Sequence, residues 1–176
     1  SGYTALLDAR RLCGDPGLYA QMTEQLRART LWPPAEFLRA KIDERDERHG
    51  KHADTAHNLE PNLKNGRGAL RDLQTARWIA KRCFGVERWL DLYERGLLEK
   101  DEARRLLRAE RWLSDMRFAL HVVSGRREER VLFDHQPALA QLFALPTMGP
   151  REHPVEALMQ RYFRAAGDID RLSQAL

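Results

Sequence analysis

A chain of 176 residues, 43% hydrophobic and 32% charged, has enough apolar material for a folded core and is too hydrophobic for a disordered tail. Thirty basic residues against 26 acids leave a net charge of only +4, and acids are interleaved among the arginines, which argues against a nucleic-acid-binding stripe. No apolar run approaches membrane-spanning length and no basic-then-apolar leader opens the sequence, so a cytoplasmic location is expected.

Thr4 is placed to cap a first helix whose apolar positions, Leu6, Leu7, Ala9 and Leu12, end at Gly14. That helix begins almost at the first residue with no strand before it, as expected of a piece cut from something longer. Asp15-Pro16 has the chemistry of a second start, a capping carboxylate followed by a first-turn proline. Leu18, Tyr19, Met22 and Leu26 form its apolar face. Pro33-Pro34 opens a third helix with a short apolar face, Phe37, Leu38, Lys41 and Ile42, followed by an almost wholly charged run from Asp43 to Lys51. Such a run reads as an exposed helix end. His49 and His52 have the spacing of a metal pair, with His57 following, but no carboxylate box accompanies them and solvated side chains are the simpler reading. Cys13 and Cys83 are isolated and read as small core residues in a reducing compartment.

The stretch from His57 to Gly85 is the most informative. A loop with Asn58, Pro61, Asn62 and Asn65 runs into Gly66-Arg67-Gly68, and a helix starts at Ala69 or Leu70 and stops at Gly85. Between Lys64 and Arg82, six basic residues (Lys64, Arg67, Arg71, Arg77, Lys81, Arg82) meet one acid, Asp72, for +5 against +4 in the whole chain. A glycine turn feeding a helix start leaves N–H groups without partners at the positive end of the helix dipole. With Lys64, Arg67 and Arg71 beside it, the turn is a candidate anion seat; the alternative is that Gly66 and Gly68 only turn the chain. On a helical wheel, Leu70, Leu73, Ala76, Ala80, Cys83 and Phe84 make a core face. Arg71, Thr75, Trp78 and Arg82 fall opposite. A tryptophan among arginines implies that this second face meets something, whether a partner, a nucleotide or the rest of its own bundle.

Further on, Val86, Leu90 and Tyr93 suggest a short helix broken at Gly96. Glu99 to Ser124 is the longest periodic segment, with Leu106, Ala109, Leu113, Met116, Leu120 and Val123 at helical spacing. It is expected to be the central helix, ended by Gly125, with His121 beside the stripe as a hydrogen-bonded core histidine. Arg126 to Arg130 reads as a solvated turn, and Val131-Leu132-Phe133 as a short apolar run with an extended character. Asp134 to Leu145 reads as a helix with Pro137 in its first turn. After a Pro- and Gly-rich loop, His153-Pro154 starts the last helix, with Val155, Leu158, Met159, Tyr162 and Phe163 on one side, continuing through Ile169 and Leu172.

No segment alternates long enough for a strand, and Pro16, Pro34, Pro137 and Pro154 all sit where helices begin. The fold class is therefore all-α, an irregular bundle of roughly seven or eight helices. No nucleophile elbow, Walker loop, HExxH or paired aspartates on a strand is present, so no catalytic residue is assigned.

NLEPNLK (58–64), GALRDLQT (68–75) and WIAKRCFG (78–85) together resemble the bacterial PII uridylyltransferase/uridylyl-removing enzyme family. LLDARRLCGD (6–15), WPPAEFLRAKIDERDERH (32–49), RFALHVVSGRREERVLFD (117–134) and PVEALMQRYFR (154–164) are similar to the helical region that follows its catalytic core. The glycine turn alone is shared with glutamine synthetase adenylyltransferase. The resemblance implies a helical domain between an upstream nucleotidyltransferase domain and a downstream HD-type phosphohydrolase domain, with residues 1–30 as the tail of the former. It implies an intact enzyme that uses UTP and Mg²⁺ to uridylylate a tyrosine of the PII signalling protein, and removes that group when glutamine is high. Lys64, Gly68, Arg71 and Asp72 carry over as motif positions. Lys64, Arg67, Gly68 and Arg71 form the candidate phosphate site, in which Lys64 and Arg71 hold the triphosphate or close the cleft; Asp72 is structural support that stabilises the helix start and orients Arg71 or a neighbouring arginine. Trp78 and Arg82 are the candidate interface. The competing reading is a docking module for PII or neighbouring domains without nucleotide contact. One departure stands out: the family's second glycine is Ala69 here, costly if that position needs positive φ.

Overall fold

A computed structural model describes residues 2–28, 31–52, 59–146 and 153–174. Its helices are α1 (Gly2–Leu7), α2 (Pro16–Arg27), α3 (Pro34–His52), α4 (Leu70–Ile79), α5 (Trp89–Glu94), α6 (Lys100–Ser124), α7 (Gln136–Phe143) and α8 (Pro154–Gln174). The described residues contain no strand, only an isolated antiparallel bridge between Asn62 and Arg130. The fold is all-α, as the sequence indicates.

The four helix-starting prolines are where they were expected, because a proline in the first turn gives up an N–H that has no helical partner anyway. Asp15 caps α2 through its carboxylate, and Gly85 and Gly125 end their helices in the left-handed conformation. The helix begun by α4 does not stay α-helical to Gly85: its last residues, Ala80–Phe84, form a π-turn.

Most of the core is one cluster. α6 supplies Leu106, Leu113, Met116 and Leu120, all fully buried, and packs against α4, α5, α7 and α8. α8 adds Leu158, Ile169 and Leu172. A second, smaller cluster lies on the other side of α4, where Phe37, Trp78 and Ile79 are joined by Tyr3, Leu7 and Trp32. The rings of Tyr3, Trp32 and Phe37 meet edge to face, 5.0–5.8 Å between centroids. Lys41 is 1% exposed in this cluster, with Nζ 5.4 Å from the Trp78 ring and paired to Glu44. α4 is therefore a partition with a core on each side.

Several local expectations are corrected. The first helix ends at Leu7, not Gly14; Thr4 is buried inside it, and Leu12 and Cys13 are exposed. Cys83 is half-buried in the smaller cluster. α5 starts only at Trp89, so it buries Trp89 and Leu92 while Leu90 and Tyr93 face outward. The Nε2 of His121 is buried with no hydrogen-bond partner among the described residues.

Candidate functional site

The loop before α4 is built on Asn62. Its side-chain oxygen accepts from the N–H groups of Lys64 (3.0 Å) and Asn65 (2.8 Å), an Asx turn that fixes where Lys64 leaves the backbone. Leu63 N–H donates to the Glu129 carbonyl at 2.8 Å and Val131 N–H to Pro61 at 2.9 Å. Gln136, 4% exposed, donates to both Leu59 and Val131 carbonyls. These bonds tie the loop to the 129–131 segment, so Glu129 is held beside Lys64 rather than in a solvated turn.

The helix start itself is closed. Gly68 N–H donates to Asp72 Oδ2 at 2.7 Å, Leu70 N–H to the Leu63 carbonyl at 3.1 Å and Arg71 N–H to Lys64 at 2.8 Å. The backbone donors expected to seat an anion are thus satisfied within the chain. Gly68 has φ +70°, and a Cβ there would lie 2.1 Å from the Ala166 carbonyl oxygen of α8. Its glycine is a packing requirement as well as a turn. Ala69 is extended (φ −90°, ψ −174°) and fully buried, so the departure at this position needs no left-handed backbone and adds a packed methyl. Arg67 points away to α8, with Nε 3.0 Å from both Asp170 carboxylate oxygens.

Asp72 is the buried centre of this region. It orients not Arg71 but groups on α3: Arg48 donates to Oδ1, and His49 Nε2 lies 3.0 Å from Oδ2. Burial pushes its pKa up, but His49, the Gly68 N–H and Arg48 outweigh burial and hold the carboxyl below its ordinary value. The charged end of α3, expected to be solvated, is thus anchored here. Alternating charge along one helix gave no sign of this pairing, because the partner lies 24 residues away. His57 and the side chain of His52 lie outside the described residues, among which no group of three His, Cys, Asp or Glu side chains is arranged to hold a metal ion.

The proposed interface face also turns inward. Trp78 is 5% exposed and its indole donates to Asp8 at 2.7 Å. Arg82, 7% exposed, donates to the carbonyls of Leu26, Arg27, Ala28 and Trp32. What this face meets is α1, the end of α2 and α3, so Trp78 and Arg82 present no free surface to an outside partner.

What remains open is a cleft of about 290 Å³ beside α4, lined by Lys64, Arg71, Arg77 and Arg117 with Asp8, Gln74 and Glu110. Three of the four cations are paired. Arg117 grips Glu129 with two bonds of 2.6 and 2.7 Å, Lys64 Nζ is 3.9 Å from the same carboxylate, and Arg77 is 2.6 Å from Glu110. Arg117 and burial act oppositely on Glu129, and Arg117 wins, lowering its pKa. Arg71 is bound only by neutral Gln74, at 2.6 Å, and has no carboxylate at ion-pairing distance among the described residues. The cleft therefore brings together Lys64 and Arg71, and excludes Arg67 and Gly68. Arg77 and Arg117 are cleft residues that the motif did not single out; Arg117 comes from α6, and only the fold brings it near.

A family model described as GlnD PII-uridylyltransferase matches residues 36–176. Curated relatives named bifunctional uridylyltransferase/uridylyl-removing enzyme align over 98% of the chain, at 40% identity in Nitrosococcus oceani, 42% in Xanthomonas axonopodis pv. citri and 38% in Pseudomonas aeruginosa. The chain belongs to the GlnD PII-uridylyltransferase family. It spans about a fifth of the length of these relatives. No solved structure matches it.

Proposed function

We propose that this chain is the helical accessory domain of a bifunctional uridylyltransferase/uridylyl-removing enzyme, and that its cleft forms one wall of the nucleotide site for UMP transfer from UTP to a PII tyrosine. The observation that carries this is Arg71: a half-buried guanidinium in an open cleft, paired by no described carboxylate, beside Lys64 and two further arginines. Guanidinium groups bind phosphate oxygens in pairs, and a cleft that removes them from bulk water strengthens the contact. The donor set fits a triphosphate. Arg71 and Lys64 would hold it; Arg117 and Arg77, fixed by Glu129 and Glu110, shape the wall. UTP supplies the UMP group and Mg²⁺ accompanies its phosphates, and both the metal's ligands and the catalytic acids are assigned to the upstream domain. Residues 1–30 are read as the tail of that domain. The family model begins only at residue 36, and Asp8 lines the cleft from this segment, which would couple the two domains.

A docking role for PII or a neighbouring domain, without nucleotide contact, is favoured by one observation: Phe118 and Val122, one turn apart on α6, are 72% and 62% exposed. Arg71→Ala and Phe118→Ser in the intact enzyme separate the two readings. A raised KM for UTP with an unchanged KM for PII in Arg71→Ala supports the cleft; a raised KM for PII in Phe118→Ser, with normal UTP use by Arg71→Ala, supports docking.

A further inference from the structure

α6 and α8 carry matching stripes. Arg105, Arg108 and Trp112 stand at i, i+3 and i+7 on α6, and Arg161, Arg164 and Asp168 at the same spacing on α8. The two helices pack along each other, and Ala109 and Ala165, both small and buried, leave a recess of about 350 Å³ between the stripes. Among the described residues, four guanidinium groups share this recess with one carboxylate, Asp168, which lies 4.0 Å from Arg105 Nε and is also engaged by Arg171 at 2.7 Å. Arg108, Arg161 and Arg164 have no carboxylate at ion-pairing distance among the described residues. Arg161 lies over the Trp112 ring, 4.3 Å from its centroid, and Phe143 meets that ring edge-on at 4.5 Å. Trp112 is 7% exposed, yet its indole Nε1 is buried without a hydrogen-bond partner among the described residues, and Arg105 Nε also makes no hydrogen bond among them. Like charges gathered around unpartnered buried donors are costly unless an anion joins them.

We propose that this recess is a second anion site, separate from the α4 cleft, for a small phosphate-bearing polyanion. The arginines of α6 and α8 supply charge and paired donors, and the Trp112 indole supplies a neutral one.

The test is titration of the full 176-residue chain with pyrophosphate, following the Trp112 indole N–H signal by NMR, assigned with Trp112→Phe. The signal should shift saturably, and Arg108→Ala combined with Arg164→Ala should weaken binding about tenfold or more, as loss of charge-assisted bonds implies. Both arginines are exposed, so the fold should tolerate this; Arg164→Gln alone is the fallback, read the same way. Arg71→Ala, in the other cleft, should leave the Trp112 response unchanged, which keeps this proposal separable from the UTP reading. A Trp112 signal that does not move, or moves equally in the double variant, overturns the site. So does an equal response to sulfate at matched ionic strength. A glutamate-rich peptide that shifts the signal where pyrophosphate fails would make the recess a protein-docking surface instead and also overturns it.

Discussion

Asp72 shows how one side chain can organise a region. Its carboxylate is fully buried and satisfied by Arg48, His49 and the Gly68 N–H, from one helix and a turn. Removing it strands a buried guanidinium and a backbone donor, so Asp72→Ala should cost about 3–5 kcal/mol in chemical denaturation. Its pKa is held below the ordinary value, so the folded state binds fewer protons than the unfolded chain. The stabilisation is therefore fully present above the unfolded carboxyl's pKa of about 3.9 and is lost as pH falls through the lower folded value. Wild type should lose stability in that acid window, and Asp72→Asn should lose less over the same range. The neighbouring glycine makes a sharper pair of tests. Gly68→Ala combines positive φ with a Cβ pressed on the α8 backbone, and should cost more than the roughly 1–2 kcal/mol of left-handed backbone alone. Ala69→Gly should destabilise by about 0.5–1 kcal/mol because it frees the unfolded chain and removes a buried methyl. Thermal unfolding of both variants checks the contrast.

At the level of elements, most helix ends that carried local chemistry were legible; Thr4 and Gly14 were the exception, since α1 ends at Leu7. The prolines, Asp15, Gly85 and Gly125 act on backbone groups a few residues away, and a sequence window contains the whole cause. α6 was readable from its periodicity alone. The readings that shifted depend on distant partners. The wheel set Trp78 and Arg82 apart from the core face, but nothing local says that α1, α2 and α3 cover them. The solvated reading of Arg48 and His49 missed Asp72 for the same reason. In the candidate site, Lys64 and Arg71 came from a motif, whereas Arg77 and Arg117 became neighbours only through packing of α4 on α6. The Arg82 contacts make α2's end dependent on the π-turn. Arg82→Ala leaves several carbonyls without their donor and should cost about 2–4 kcal/mol. Hydrogen exchange should show the loss in α1 and α2 first, with α6 and α8 still protected; uniform deprotection would mean the two clusters do not behave as separate units.

Across the whole molecule, a charged cleft opens at the boundary between the two cores on either side of α4, with Asp8 contributed from before the family-matched region and Arg117 from the central helix. That placement suits a domain whose cleft is completed by a neighbour, and the curated relatives are about five times the length of this chain. The most direct measurement is the UTP dependence of PII uridylylation by the intact enzyme carrying Arg71→Ala. The KM for UTP should rise about tenfold, the cost of one charge-assisted phosphate contact, with the KM for PII unchanged. A UTP dependence indistinguishable from wild type would contradict the assignment of this cleft to the nucleotide.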